Sequence, residues 1–330
     1  WQLTQYASNR TRTDGPDPDT PWVWVADAAT RFGPAPRLAE GVGVFRRASS
    51  VHLLGGGYLN AVWSHHVSLV AAVAELVRST GVRAYATGQG LLPLVGEPAW
   101  SVLLKAVEEF RVFDVRDTAS HQALSGTPAL RNTGDDAWLA LDEPAVTHVS
   151  ESPVPGGGVT LCVQGDLTED FTMRGHSGVA ALAEFVRATL DAWEVPGEAV
   201  TVVEGIPGRD RDVPVRLGDR LTGSRTIPFL DVWRRGLPVG GGDTWLSTRF
   251  HPHLVAAAAG DSGVAVIPRR DYYATKHESL AAYGSRWTVV DDPEVIPDRP
   301  TSGGFAPDAR ARLVADKRAL ADRLYPRRRR

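Results

Sequence analysis

The stretch Asp243 to His277, DTWLSTRFHPHLVAAAAGDSGVAVIPRRDYYATKH, decides how the rest of the chain is read. A short apolar run, Thr244–Ser247, predicts a buried strand and breaks abruptly at Thr248-Arg249-Phe250-His251. Small residues from Pro252 to Ala259 predict a helix, and Val264–Pro268 a second apolar strand. Strand, polar turn, helix and strand make one βαβ unit, in which ligands sit at the carboxyl ends of the strands. Arg249 and His251 fall at that end, where a guanidinium fork, an imidazole and a helix N-terminus suit a phosphate or carboxylate. Without further context, an arginine at a strand end is more often a capping or solvated residue.

Working outward, strands and helices alternate twice. Toward the N-terminus, Val51–Leu54 runs into Gly55-Gly56-Gly57, then a helix over 61–79, a strand over 82–87, a helix over 98–110 and the strand Val112–Val115 before Arg116-Asp117. A Pro- and Gly-bearing, aperiodic segment over 143–158 reads as the interdomain linker. Alternation resumes with strands over 159–164 and 199–203, a helix over 176–193, a final strand over 287–290 and a long helix over 308–324. Trp1 to Pro21 is polar and reads as lead-in loop. The pattern predicts two α/β, Rossmann-like domains, 1–148 and 149–330, with parallel sheets facing a central cleft.

Bulk properties narrow the function. The chain has 330 residues, enough for two cores, with 43% hydrophobic and 23% charged residues. Its net charge of −3 argues against general nucleic-acid binding, so an anion site has to be local. Cys162 is the only cysteine, lies in an apolar strand and reads as an inert core thiol, in keeping with a cytoplasmic setting. No apolar run reaches the length of a membrane span. His251 and His253 stand two apart without a cysteine or carboxylate at metal-ligand spacing, so no metal is expected.

Several other spots carry chemistry. Gly55-Gly56-Gly57 lets backbone approach a ligand, but neither a Walker loop nor GxGxxG follows, and a tight turn explains it as well. Arg116-Asp117 again stands at a strand's carboxyl end, where an ion pair or a helix cap by Asp117 is the simpler role. His65 is placed to turn toward the glycine triplet, whereas His66 belongs on a solvated helix face.

Together, HLLGGGYLNAVW at 52–63, FDVRD at 113–117, STRFHPHLVAAAAGDSGVAVIP at 247–268 and YYATKH at 272–277 resemble the polysaccharide pyruvyl transferase family. The resemblance implies a GT-B-like fold and transfer of the pyruvyl group of phosphoenolpyruvate onto two hydroxyls of a sugar, forming a ketal and releasing phosphate. It makes His251 the catalytic residue and Arg116, Arg249, Phe250, Gly56 and Gly57 the donor-binding set. Asp117, His65, Asn60, Lys276 and His277 would support these or hold the acceptor. Phosphoenolpyruvate is then a co-substrate, with no separate cofactor. The acceptor would be a sugar in a polysaccharide, glycolipid or lipid-linked precursor of the cell envelope. Nucleic acid is not an expected partner. Contact with the inner face of the membrane is at most peripheral, through Arg327–Arg330. The glycine- and asparagine-rich turn with which the family opens is not found, and the chain begins at Trp1 without methionine, so a shortened first domain is expected. Two rival readings stand beside this one. A nucleotide-sugar glycosyltransferase of the same fold would need a stacking aromatic and a ribose-gripping carboxylate, for which Glu204 is the candidate. The other rival is a non-catalytic binding or partner protein that kept the fold.

Overall fold

The computed structural model describes residues 43–45, 47–141, 147–149 and 157–326. The chain divides into two compact units, one of residues 1–136 with 316–330 and one of 137–315. The lead-in over 1–21 and the basic tail Arg327–Arg330 lie outside the described residues, as does most of the segment read as a linker.

The first unit holds a parallel sheet of four strands in sequence order: β1 (Ser50–Leu53), β2 (Arg83–Gln89), β3 (Val112–Val115) and β4 (Leu130–Asn132). Helices α1 (Val67–Thr80), α2 (Ala99–Val107) and α3 (Thr118–Ala123) connect the strands. The helix expected over 61–79 is in fact two pieces. Ala61–His66 is a 3₁₀ helix, kinked where Trp63 leaves helical geometry, and α1 follows it. Asn60 causes the early start, because its side-chain oxygen accepts from the Val62 and Trp63 N–H groups. Gly81, at φ 72°, ends α1 in the left-handed conformation that glycine adopts without a Cβ clash.

The second unit is organised on a six-stranded parallel sheet. Its strands are β6 (Val159–Cys162), β9 (Val200–Val203), β10 (Arg225–Ile227), β12 (Thr244–Ser247), β13 (Ser262–Val266) and β14 (Thr288–Val290), in the order β10-β9-β6-β12-β13-β14. β5 (Thr147–Val149) and β11 (Leu237–Val239) form a separate parallel pair, and β7 (Thr172–Met173) with β8 (His176–Ser177) a small antiparallel one. A strand therefore lies inside the segment read as a linker, because β5 finds its partner 90 residues downstream in β11. The crossovers are α4 (Gly178–Ala192), α5 (Asp212–Leu217), α6 (Phe229–Arg235), α7 (Phe250–Ala259) and α8 (Arg270–Ala282). α9 (Pro307–Leu324) starts in this unit and ends in the first.

β6, β9 and β12 are buried at every position and carry only apolar and small hydroxyl side chains, with no charged residue facing out. Trp245, Leu246, Leu161 and Val203 are all fully buried. Truncating one such leucine to alanine costs about 2–5 kcal/mol. No helix among the described residues is long and apolar enough to cross a membrane.

Candidate functional site

In the second unit the chain lays β6, steps outward to β9 and β10, then returns past β6 to lay β12, β13 and β14. The order reverses between β6 and β12. Connections leave their carboxyl ends toward opposite sides and open a crevice, the usual ligand position in open α/β sheets. Thr248 N donates to Cys162 O at 3.2 Å and Gln164 N to Thr248 Oγ1 at 3.0 Å, so the two strands stay paired up to its rim.

From the β12 side comes the turn Thr248-Arg249-Phe250-His251. Ser247 Oγ accepts the Arg249 N–H at 3.0 Å and directs the chain into α7. Phe250 is buried and His251 exposed, their rings in edge contact at 5.3 Å. No acidic residue stands in the first turn of α7, so the positive end of that helix is not neutralised locally.

Arg249 does not stand open to a ligand. Its Nε donates to Asp210 Oδ2 at 2.8 Å and its Nη2 to Asp210 Oδ1. Asp210 is fully buried in this pair, and its Oδ2 also accepts from Gly205 N and Ile206 N at 2.7 and 3.0 Å. Burial works against the arginine's charge, but the carboxylate outweighs it and holds the Arg249 pKa above its ordinary value.

From the β6 side comes Gln164, fully buried. Its Nε2 donates to Asp166 O at 2.8 Å and Tyr273 Oη at 2.5 Å. Gln164 Oε1 and Asp166 Oδ1 are buried and find no hydrogen-bond partner. Buried polar atoms are nearly always paired in folded proteins, so an unpaired acceptor at a strand's carboxyl end marks a place where a donor-bearing ligand or water fits. Burial pushes the Tyr273 phenol above its usual range, keeping it a neutral hydroxyl. Sequence reading missed Gln164, Asp166 and Tyr273. The signal available was that Gln164-Gly165-Asp166 follows the first strand of the six-stranded sheet, at the switch.

Lys276 and His277 are both buried on α8. Lys276 Nζ lies 3.0 Å from the centre of the Tyr272 ring. His277 Nε2 sits 3.3 Å from Thr248 O, which can only accept, so this nitrogen carries the proton. His277 Nδ1 and His253 Nδ1 share a hydrogen bond at 3.0 Å, and His253 Nε2 bonds Ser285 Oγ at 2.8 Å. Burial first, and then His277, hold the His253 pKa well below its ordinary value. The chain of bonds ties α7 and α8 to the turn after β12, and His277 supports that turn from behind.

Glu204 is 3% exposed, and both its oxygens are taken. Gly208 N and Arg211 Nε donate to Oε1 at 2.8 Å each, while Arg211 Nη2 and Phe229 N donate to Oε2 at 3.1 and 3.0 Å. Burial raises its pKa, but these donors win and hold it at about 2. It anchors loops rather than offering an oxygen to a ribose. Cys162 is fully buried and its thiol is pushed up to about 12, an inert core position.

The first-unit candidates are each drawn into the fold. Gly56 bridges to Gln89 and both donates to Gly88 O and accepts from Gly90 N, so the triplet prolongs strand pairing. Gly57 O accepts from Asn60 Nδ2 at 2.7 Å, and Asn60 is fully buried as the cap already described. Arg116, 4% exposed, pairs with Asp135 at 3.2 Å, and Asp117 caps α3 through Ser120 N at 2.7 Å. Gly90 is required here, since a Cβ would come within 2.6 Å of Arg116 Nε. The His65 ring packs against His66 at 4.2 Å, and His66 Nδ1 meets Tyr58 O at 3.0 Å.

No family model matches the sequence, and no curated protein matches it. Solved structures do. A putative UDP-N-acetylglucosamine 2-epimerase from Listeria monocytogenes aligns with a TM-score of 0.50 at 12% identity, over 90% of this chain and 72% of that one. The UDP-GlcNAc 2-epimerase from Neisseria meningitidis bound to UDP-GlcNAc gives 0.45 at 12% identity, over 92% and 74%. A UDP-forming trehalose-phosphate synthase from Burkholderia xenovorans gives 0.40 at 13% identity, over 92% and 71%. The fold is GT-B-like, with parallel sheets.

The resemblance to pyruvyl transferases is overturned by this comparison. The structure that aligns with a TM-score of 0.50 is a putative UDP-N-acetylglucosamine 2-epimerase, not a pyruvyl transferase, and no family model matches the sequence. The geometry gives a physical reason. Arg116 and Arg249, expected to clamp phosphoenolpyruvate, are closed onto Asp135 and Asp210 within their own units.

Proposed function

We propose that this GT-B-like protein is an enzyme acting on a nucleotide-activated sugar, with the nucleotide diphosphate held at the carboxyl edge of the second unit's sheet. The observation that carries the reading is the reversal of strand order between β6 and β12, with Gln164 at the end of one strand and Arg249-Phe250-His251 at the end of the other. The N-terminus of α7 supplies a positive dipole end for a diphosphate. The acceptors Gln164 Oε1 and Asp166 Oδ1 suit the N–H and O–H donors of a nucleoside or sugar, and Asp166 takes the place expected for Glu204. The UDP-N-acetylglucosamine 2-epimerase neighbour supports a UDP-sugar as the first substrate class to try. His251, exposed in the first turn of α7, is the side chain placed to exchange a proton with a sugar or phosphate oxygen.

The test is thermal unfolding with UDP, UDP-N-acetylglucosamine and GDP-, ADP- and dTDP-sugars, followed by product analysis. A ligand at about 100 times its dissociation constant stabilises by roughly 2.7 kcal/mol, a shift of a few degrees. A shift with one nucleotide sugar and turnover of it establish the reading. No shift with any of them overturns it.

A further inference from the structure

The same edge of the second unit's sheet carries a feature that nucleotide binding does not use. After β9 the loop Gly205–Arg211 exposes Ile206 (41%) and Arg209, and after β10 helix α6 exposes Leu230 (59%), Trp233 (75%), Arg234 and Arg235. Glu204 holds the two segments side by side by accepting from Gly208 N of the loop and from Phe229 N of α6. The orientation of α6 is fixed by Val232, which packs onto the core. At roughly 100° per residue, Leu230, Trp233 and Arg234 then share the outer face, and Asp231 lies about 160° around the helix from Trp233.

Large apolar side chains held in water beside arginines are an unusual use of surface, and here they belong to one pinned platform. Glu204 and Asp210 are matched by Arg211 and Arg249, Asp212 lies against Gly165, and Asp231 is on the far side of α6, which leaves Arg209 and Arg234 as the charges of this face. Nucleic acid is a poorer fit. Leu230 and Ile206 offer no ring for base stacking, and Trp233 alone would be a single stacking platform. A tryptophan flanked by aliphatic side chains and arginines is the composition of a surface that lies at a lipid headgroup boundary. We propose that the face formed by the 206–211 loop and α6 docks on an anionic lipid bilayer. The inference does not depend on the nucleotide-sugar reading and fails or stands separately from it.

The experiment uses the full chain, sedimented with vesicles of phosphatidylcholine alone or with about a third phosphatidylglycerol, at low and high salt. Binding to the anionic vesicles that falls at high salt is expected. Arg209→Gln with Arg234→Gln should weaken it roughly fivefold per arginine. Leu230→Ser with Trp233→Ser should weaken it at least tenfold, with the melting temperature unchanged because these side chains are exposed. Brominated lipid should quench tryptophan fluorescence in the parent protein, and less in Trp233→Phe. Equal sedimentation with and without phosphatidylglycerol, no binding, or no effect of either double variant overturns the proposal. So does release from vesicles by a single-stranded oligonucleotide that binds the same face.

Discussion

Asp210 and Arg249 form a two-pronged ion pair that ties the loop after β9 to the turn after β12, across the end of β6 between them. Asp210 has no exposed surface and Arg249 15%, so each depends on the other for its charge. The pair also shapes the backbone, since Asp210 Oδ2 takes the Gly205 and Ile206 N–H groups.

Asp210→Ala should therefore destabilise the second unit by about 3–5 kcal/mol, the cost of leaving a buried charge unpaired. Urea unfolding would measure it, and the double variant with Arg249→Met should recover part of the loss. A change under about 1 kcal/mol would show that the arginine is free to serve a ligand instead.

Lys317, on α9, is 1% exposed and bonds Asp114 at 2.7 Å and Asp136 at 3.1 Å. Those carboxylates also organise the ends of β1, β2 and β4. Asp136 Oδ2 accepts from Gly55 N and Thr87 Oγ1, while Asp114 accepts from Gly88 N and Thr133 N. Lys317→Met should cost about 3–5 kcal/mol, and adding Asp114→Asn should restore some of it, because one buried negative charge is then removed. A double variant no more stable than Lys317→Met would argue that packing of α9, not charge, holds this corner.

Asp261 accepts from Gly240 N at 2.9 Å and Trp245 Nε1 at 3.2 Å, yet burial, the largest influence, pushes its pKa up to about 6. The folded state then keeps a proton that the unfolded state, with a carboxyl pKa near ~3.9, has released. Stability contributed by Asp261 falls as pH rises from about 4 through about 6. Between pH 5 and 7 Glu204 is ionised in both states, while His253, neutral in the folded state, gains a proton on unfolding and tilts the curve the other way, so the difference between parent and variant isolates Asp261. The stability of the parent relative to Asp261→Asn should fall by roughly 1–2 kcal/mol as pH rises across that window. An unchanged slope in the variant would assign the effect elsewhere.

His251 is the exposed imidazole at the start of α7. His251→Ala should lower turnover of the nucleotide sugar by about 10²–10⁴-fold while changing its dissociation constant far less. Loss of binding equal to loss of turnover would make His251 a ligand contact rather than a proton-transfer group. His253→Ala, by contrast, should lower stability, because it leaves His277 Nδ1 and Ser285 Oγ without the ring between them.

How much was legible in the sequence differs by kind of feature. Runs such as Thr244–Ser247 and Val200–Val203 gave themselves away because strands buried on both faces exclude charged side chains and show no polar–apolar alternation. Helix α6 did not, since seven residues with Leu230 and Trp233 turned outward carry no inward-facing period. β5 was hidden in a Pro- and Gly-rich segment because its partner among the described residues, β11, is remote. The family resemblance failed for a related reason. Glycine triplets and arginines after strands recur wherever a parallel sheet ends, and their spacing does not say what the arginines bind.

The sequence by itself determined the alternation of strands and helices, and with it parallel sheets and the strand ends at which chemistry collects, because periodicity and turn residues are local properties. Only the tertiary structure decided the rest. It set the order β10-β9-β6-β12-β13-β14, which puts the crevice between β6 and β12. It joined Arg249 to Asp210 and Arg116 to Asp135, and it left Gln164 and Asp166 with unpaired acceptors at the rim. Whether a charged side chain is a binding group or an internal tie depends on which partner folding brings within about 3 Å, and spacing along the chain does not fix that distance.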